Sequence, residues 1–363
     1  MMRTTLAHAT LPLAALLGGS LGCDATDGPV GDTSQVPARA TVDRADLLDR
    51  VKPLLGIVEP VNTTDDPEVE AARVALGRAL FNDERLSVKG DMSCNTCHDL
   101  QGYGVDVREF GEDRAPTSLG HEDKFGRRNA PTVYNAFAHV AQMWDGRAET
   151  VEQQAELPLT DAGEMAMPDV THAVRVLRRI RGYRRLFAEA FPGDRNPVTF
   201  ENFTRAIGAF ERKLVTPGPF DEFLSGNLDA LSEPEVRGLA LFADRCIACH
   251  DGPALGGTKY QKMGVNKVYP LEDHGRFDVT RNEEDKGVFK VPSLRNVART
   301  GPYLHDGSVK TLDEVIEIMG EYQTSQGPLT EQEIADLKAF LSSLTGDLPF
   351  ELIDPVDVPG RRS

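Results

Sequence analysis

The 363-residue chain holds one tryptophan and five cysteines. Four of the cysteines form two close pairs, Cys94 with Cys97 and Cys246 with Cys249, and Cys23 stands alone near the start. No further cysteines remain to frame a disulfide scaffold, which excludes that class of small stapled fold. Long apolar runs are also missing. The stretch Leu11-Pro-Leu-Ala-Ala-Leu-Leu17 falls well short of the about 20 residues that a membrane-spanning helix requires. Basic residues are outnumbered, 40 Lys and Arg against 57 Asp and Glu, giving a formal charge of −17. Such a surface repels nucleic acid and permits steering of a basic partner. Alternating strand patterns are scarce, so the fold is expected to be mainly α.

The start reads as a processing segment. Arg3 precedes the apolar stretch, which runs into Gly18-Gly-Ser-Leu-Gly-Cys23, the layout of an export signal over residues 1–22. Ser20-Leu21-Gly22-Cys23 is similar to a lipobox, with Ser20 where an aliphatic residue is usual. An acylated Cys23 would tether the chain to a membrane. Residues 23–45, polar and rich in Gly, Pro and Ser, read as a flexible tether. Location in the periplasm of a Gram-negative bacterium follows as the expectation.

The cysteine pairs carry the chemistry. Cys94-Asn-Thr-Cys97-His98 and Cys246-Ile-Ala-Cys249-His250 each put two thiols on one helical turn with a histidine after them. This is the pattern for covalent attachment of a c-type haem, with His98 and His250 as axial iron ligands. Zinc pairs usually lie some 15–20 residues apart, far less than the separation of these motifs. A dithiol redox motif does not require the following histidine. Two covalent haem c groups are therefore predicted.

The motifs lie in a degenerate repeat. Gly77-Arg-Ala-Leu-Phe81 precedes the first, and Gly238-Leu-Ala-Leu-Phe242 precedes the second. This predicts two cytochrome c-like domains, over 46–231 and 232–345, with an extended tail at 346–363 that packs back on the first. Asp66-Pro67-Glu68 marks a helix start, and Ser232/Glu235, Thr311/Glu314 and Thr330/Glu333 match capping boxes. Phe200, Phe203, Ile207, Phe210 and Leu214 share one helical face, as do Ile334, Leu337, Phe340, Leu341 and Leu344. The stretch 217–226 reads as a connection between halves.

A second axial ligand decides what each haem does. By spacing, Met165 lies 67 residues after His98 and Met319 lies 69 after His250. Spacing alone allows two equivalent electron carriers, and methionine is also ordinary core filler.

Longer blocks carry a resemblance. Gly77-Arg-Ala-Leu-Phe-Asn-Asp-Glu-Arg-Leu-Ser87, Arg128-Asn-Ala-Pro-Thr-Val-Tyr-Asn135 and Trp144-Asp-Gly-Arg147 resemble the bacterial di-haem cytochrome c peroxidases. So do Asp285-Lys-Gly-Val-Phe-Lys-Val-Pro-Ser-Leu-Arg-Asn296, Gly301-Pro-Tyr-Leu-His-Asp-Gly307 and Ile318-Met-Gly-Glu-Tyr-Gln323. The similarity spans residues 67–348 in order. It implies an N-terminal haem that reduces hydrogen peroxide and a C-terminal haem, ligated by His250 and Met319, that accepts electrons from a small cytochrome c or cupredoxin. It assigns Glu164 as the distal acid, relieving Met165 of a ligand role, and His121 as the histidine that blocks the first haem at rest. It places Trp144 between the haems and His305 beside a haem propionate. It gives Asn129, Thr300 and Pro302 to one calcium ion, the last two through carbonyls, and it admits a homodimer. Thr160 stands where some members carry glutamine, which implies a weaker hydrogen bond to the distal site. His139, His172 and His274 match no ligand position and read as structural. The related MauG-type oxidases carry a tyrosine in place of the methionine, which keeps Tyr322 as an alternative. A two-haem carrier without enzymatic activity and a haem-based sensor are further alternatives, though no output domain is visible for a sensor.

Overall fold

The computed structural model describes residues 41–110, 113–354 and 356–360; the export signal and Cys23 lie outside them. Helices are joined by irregular segments, the longest between α3 and α4: α1 Arg44–Val51, α2 Pro67–Phe81, α3 Cys94–Cys97, α4 Val151–Thr160, α5 Val170–Arg179, α6 Arg181–Ala190 and α7 Phe200–Glu211. The second half continues with α8 Pro219–Leu224, α9 Glu233–Arg245, α10 Phe277–Thr280, α11 Leu312–Gln323, α12 Glu331–Ser343 and α13 Phe350–Ile353. Two short antiparallel ribbons complete it. In one, β1 Glu109–Phe110 pairs with β2 Asp113–Arg114. In the other, β3 Tyr260–Lys262 pairs with β4 Val288–Lys290, with Tyr260 opposite Lys290. Among the described residues no helix is long and apolar enough to cross a membrane.

The helix starts follow local chemistry. Asp66 caps α2 by accepting from the Glu68 and Val69 amides, with Pro67 in the first turn where its missing N–H costs nothing. Ser232 and Thr330 open α9 and α12 with full capping boxes, and Thr311 caps α11 by accepting from the Glu314 amide.

The repeat becomes the same helix crossing made twice. α2 packs on α7 at Gly77, where a Cβ would fall 2.0 Å from the Ala206 carbonyl oxygen. α9 packs on α12 at Gly238, where a Cβ would fall 2.0 Å from the Asp336 carbonyl oxygen. Each contact is followed one turn later by an aromatic pair, Phe81–Phe210 at 5.5 Å and Phe242–Phe340 at 5.1 Å. The loops repeat as well. Asn135 and Asn296 both adopt left-handed backbone, and their amides donate to the carbonyls of Leu214 and Leu344. Their side-chain amides meet on one hydroxyl, Thr216 Oγ1, at 3.0 and 2.9 Å.

Two hydrophobic cores result, and the chain ends are exchanged between them. The first core gathers α2, α4 to α7 and also Ile353 and Val358 of the tail. The second gathers α9, α11 and α12 together with Leu47, Val51 and Leu55 of the N-terminal segment. Arg85 donates to the Pro359 carbonyl at 2.8 Å, tying the tail to the first half. The stretch 217–226 differs from the expected plain connection. Pro219 starts α8, which buries Phe220, Phe223 and Leu224 in the second core. Asp221 there takes the Arg295 guanidinium on both oxygens, at 2.9 and 2.7 Å. A buried bidentate pair of this kind fixes the register of the segment.

Candidate functional site

Each Cys-x-x-Cys-His motif sits at the wall of a cavity. In the first half, Thr96 Oγ1 accepts from the Ser93 amide at 2.9 Å and winds residues 94–97 into a single turn. That turn faces Cys94 and Cys97 the same way, since residues three apart share a helix face. In the second half, Cys246 caps α9, and the Cys249 and His250 amides both donate to its carbonyl, continuing the turn.

The histidines are oriented alike. His98 Nδ1 lies 3.1 Å from the Gly104 carbonyl and His250 Nδ1 lies 3.2 Å from the Leu255 carbonyl. A carbonyl only accepts, so each Nδ1 carries the proton and each Nε2 keeps its lone pair free for a metal. Burial lowers the pKa of both rings, that of His250 to about 4, so both are neutral imidazoles. The thiols move the other way. Burial pushes Cys94 up to about 12, Cys97 to about 11 and Cys246 to about 12. Thiols held neutral in apolar surroundings make poor zinc ligands and poor dithiol catalysts. Among the described residues no cluster of three or more His, Cys, Asp or Glu side chains could hold a metal ion. This donor set fits thioether attachment of haem with a histidine axial ligand.

The first cavity, about 570 Å³, is lined by Cys94, Cys97, His98, Glu164 and Met165. Glu164 is placed by the end of α4. The amides of Asp161, Met165 and Met167 donate to the carbonyls of Leu157, Pro158 and Leu159, folding the chain back under the helix. Burial, then the nearby Asp161 charge, raises the Glu164 pKa, against a smaller opposing effect of Arg147. His121 belongs to a loop pinned to this segment: its amide donates to the Glu164 carbonyl at 3.0 Å. Gly120 lines the cavity and His121 does not. The structure therefore does not bring the His121 imidazole to the His98 site, and its Nδ1 is buried without a partner. Thr160 is exposed and lines neither cavity, contrary to the expected distal hydrogen bond; Gln154, one and a half turns earlier on α4, lines the first cavity instead.

The second cavity, about 250 Å³, is lined by Cys246, Cys249, His250, Met319 and His305. Met319 faces it from α11, whereas Tyr322 does not line it. The Tyr322 ring packs on Tyr269 at 5.0 Å and lies under the Lys267 ammonium. His305 is buried between Phe289, 4.4 Å away, and Trp144, 6.5 Å away, and burial lowers its pKa.

Trp144 and Asn129 line both cavities. Trp144 Nε1 donates to the Asn129 carbonyl at 2.9 Å. The Asn129 side chain donates to the Pro302 carbonyl at 2.6 Å, and the Asn129 amide donates to the His305 carbonyl at 2.8 Å. Asn129 and Pro302 are thus together, with Thr300 two residues from Pro302 and also on the second cavity. Their oxygens are neutral and hard, which suits a calcium ion.

Three groups on or next to these cavities were not singled out from the sequence. Glu211 ends α7, lines the first cavity, and is pushed up to about 8 by burial and then by Glu152. Its signal was an acid continuing an apolar helical face, Phe210-Glu211. Arg108, paired with Asp106, reaches the Leu119 carbonyl at 2.9 Å and Cys97 Sγ at 3.6 Å. Lys290 interrupts the apolar run Val288-Phe-Lys-Val291 and lines the second cavity.

Residues 71–229 match the family described as di-haem cytochrome c peroxidase, and residues 235–345 match cytochrome c. A cytochrome c551 peroxidase of Nitrosomonas europaea is 42% identical over 80% of this chain and 85% of its own. The methylamine utilization protein MauG of Methylophilus methylotrophus is 36% identical over 76% of this chain and 82% of its own. Among solved structures, a MauG-like protein associated with microbial copper homeostasis superposes with a TM-score of 0.70 at 31% identity, covering 85% of this chain and 97% of its own. The fold is accordingly mainly α with two cytochrome c-like domains, and the motifs are those of two haem c groups.

Proposed function

Because the chain belongs to the di-haem cytochrome c peroxidase family, we propose that it reduces hydrogen peroxide to two waters with electrons from a small cytochrome c or cupredoxin. The observation that carries this reading is the inequality of the two cavities: a carboxyl of raised pKa on the first, Glu164, and a thioether on the second, Met319. The bound haems supply the redox chemistry, one receiving external electrons and the other passing them to peroxide.

The chain's own residues do the rest. Glu164, its pKa raised by burial, moves a proton from the inner to the outer peroxide oxygen, so that water leaves. The full change consumes two electrons and two protons. Met319 Sδ raises the potential of the second site above that of a nitrogen-ligated one, which favours electron entry there. Trp144, lining both cavities, mediates passage between them. His121, whose imidazole lies off the first cavity in this structure, swings in to block the first site at rest and out again when the second gains an electron; the hydrogen bond from its amide to the Glu164 carbonyl couples that movement to the distal acid. Asn129, Thr300 and Pro302 hold a calcium ion that stiffens this junction. Export to the periplasm, a tether through acylated Cys23 and a homodimer complete the reading.

A spectrum of the half-reduced protein with and without calcium tests it. A high-spin ferric haem should appear when the second haem is reduced, together with steady-state turnover of peroxide by a reduced cytochrome. Two low-spin haems and no turnover would leave a two-haem carrier instead. The MauG relative favours a second reading, oxidation of a protein substrate. Tyr322 lies off the second cavity, so that reading would require tyrosine ligation to be found spectroscopically.

A further inference from the structure

Lys290, the last residue of β4, is 6% exposed. No ion pair among the described residues includes it, and burial alone, with no carboxylate nearby, pulls its pKa down to about 8. Its side chain contacts His139, with Nζ 3.2 Å from Nδ1. The ammonium can only donate, so Nδ1 accepts and the ring proton sits on Nε2. That Nε2 is buried and has no partner. Burial and the Lys290 charge keep His139 neutral. Both residues line the second cavity. The cavity wall therefore presents an ammonium with no carboxylate partner and an imidazole N–H with no acceptor.

The arrangement is built rather than incidental. His139 packs against Gly257, where a Cβ would fall 2.2 Å from Cδ2. The Val140 amide donates to the Gly257 carbonyl at 2.8 Å, and the Lys290 amide donates to the Trp144 carbonyl at 2.8 Å. These bonds lock residues 139–144 of the first half onto the β3–β4 ribbon of the second. The other basic side chain on this cavity, Arg245, is already committed to Glu333 and to the Gly327 carbonyl. A buried ammonium without a counter-ion is costly, and the N–H groups of Lys290 that His139 does not use suit a carboxylate oxygen.

We propose that Lys290, with His139 beside it, seats a propionate carboxylate of the haem carried by Cys246 and Cys249 and holds up that haem's reduction potential. A positive charge there favours the reduced, less positive iron, and its loss favours the oxidised one. The inference rests on the haem content of the second cavity and not on peroxide turnover, so an inactive holoprotein would sink the proposed function and leave this point standing.

Redox potentiometry of the holoprotein at pH 8 tests it, with haem stoichiometry and the His/Met spectrum read first. Lys290→Met should lower the reduced-to-oxidised ratio of the second haem at least tenfold at fixed solution potential, about 59 mV for one electron. Lys290→Gln keeps length and polarity and gives the same reading where the methionine variant does not assemble. Lys290→Arg should stay close to wild type. The first haem should be unmoved in all three. Equal second-haem potentials in the wild type and in either neutral variant would overturn the proposal, as would a fall in Lys290→Arg equal to that in Lys290→Gln.

Discussion

The rings of Trp144 and His305 meet edge to face at 6.5 Å and 75°, and the two residues hold the same place in the two halves. Each follows a residue of positive φ, Met143 or Leu304, and precedes Asp-Gly with the glycine at positive φ. Each lies 161 residues from its counterpart, as do Gly77 and Gly238, and Asn135 and Asn296. The repeat has thus brought one loop position from each half into contact between the cavities, then filled it differently. An indole at this junction touches both cavities, while the imidazole lines the second alone.

Replacing Trp144 by Phe keeps an aromatic ring against His305 and removes the hydrogen bond to the Asn129 carbonyl. Slower electron passage between the haems is expected at unchanged haem content, measured by rapid reduction of one haem and observation of the other. An unchanged rate would remove the indole from the path.

Glu164→Gln keeps the shape of the distal wall and removes the proton carrier. Turnover with peroxide should fall roughly 10²–10⁴-fold, while the redox titration of the second haem stays as it was. Full activity in this variant would assign proton transfer elsewhere.

Glu211 sets a pH dependence of stability. Its pKa rises to about 8 in the folded chain from an ordinary value of 4.5, so between these pH values the folded state holds a proton that the unfolded state has released. Stability contributed by this group is present at low pH and is lost as pH climbs through that window. Glu211→Gln should therefore raise the urea midpoint more at pH 8 than at pH 5. An equal effect at both pH values would show that the carboxyl is ionised in the fold.

Met319→His should lower the midpoint potential of the second haem, since nitrogen replaces a thioether. Tyr322→Phe should leave both the potential and the spectrum of that haem unchanged, because its ring packs edge to face with Tyr269 away from the cavity. A change in the tyrosine variant with none in the methionine variant would reverse the ligand assignment.

Gly238→Ala forces a methyl against the Asp336 carbonyl and the Phe340 Cβ, at 2.0 and 2.7 Å. Overpacking of this kind costs about 1–3 kcal/mol, to be read as a lower denaturant midpoint. Gly77→Ala should cost a similar amount at the equivalent crossing.

Much of the helical framework was legible because its signals are local. Asp66-Pro67, Ser232/Glu235 and Thr330/Glu333 each act within one turn, and the apolar stripes of α7 and α12 need only the helical period. The segment 217–226 was not, because its Pro and Gly read as a linker, and only the Asp221–Arg295 pair shows what its helix is for. Thr160 was misjudged for a related reason. A position counted along α4 says nothing of which face Pro158 and the fold-back at 161–167 turn toward the cavity.

The sequence by itself determined the attachment chemistry: Cys-x-x-Cys-His needs only one turn of chain to present two thiols and an imidazole. It also determined the duplicated framework, since glycine and phenylalanine at a fixed spacing dictate the same crossing twice. Tertiary structure alone decided which side chains share a cavity. Glu164 joins His98 because orphan carbonyls at the end of α4 recapture the chain. Met319 rather than Tyr322 joins His250 because of how α11 is rotated against the second core. His139 and Lys290, 151 residues apart, meet only because the first half's loop locks onto the second half's ribbon. Such meetings depend on summed packing across both cores, which no single stretch of sequence encodes.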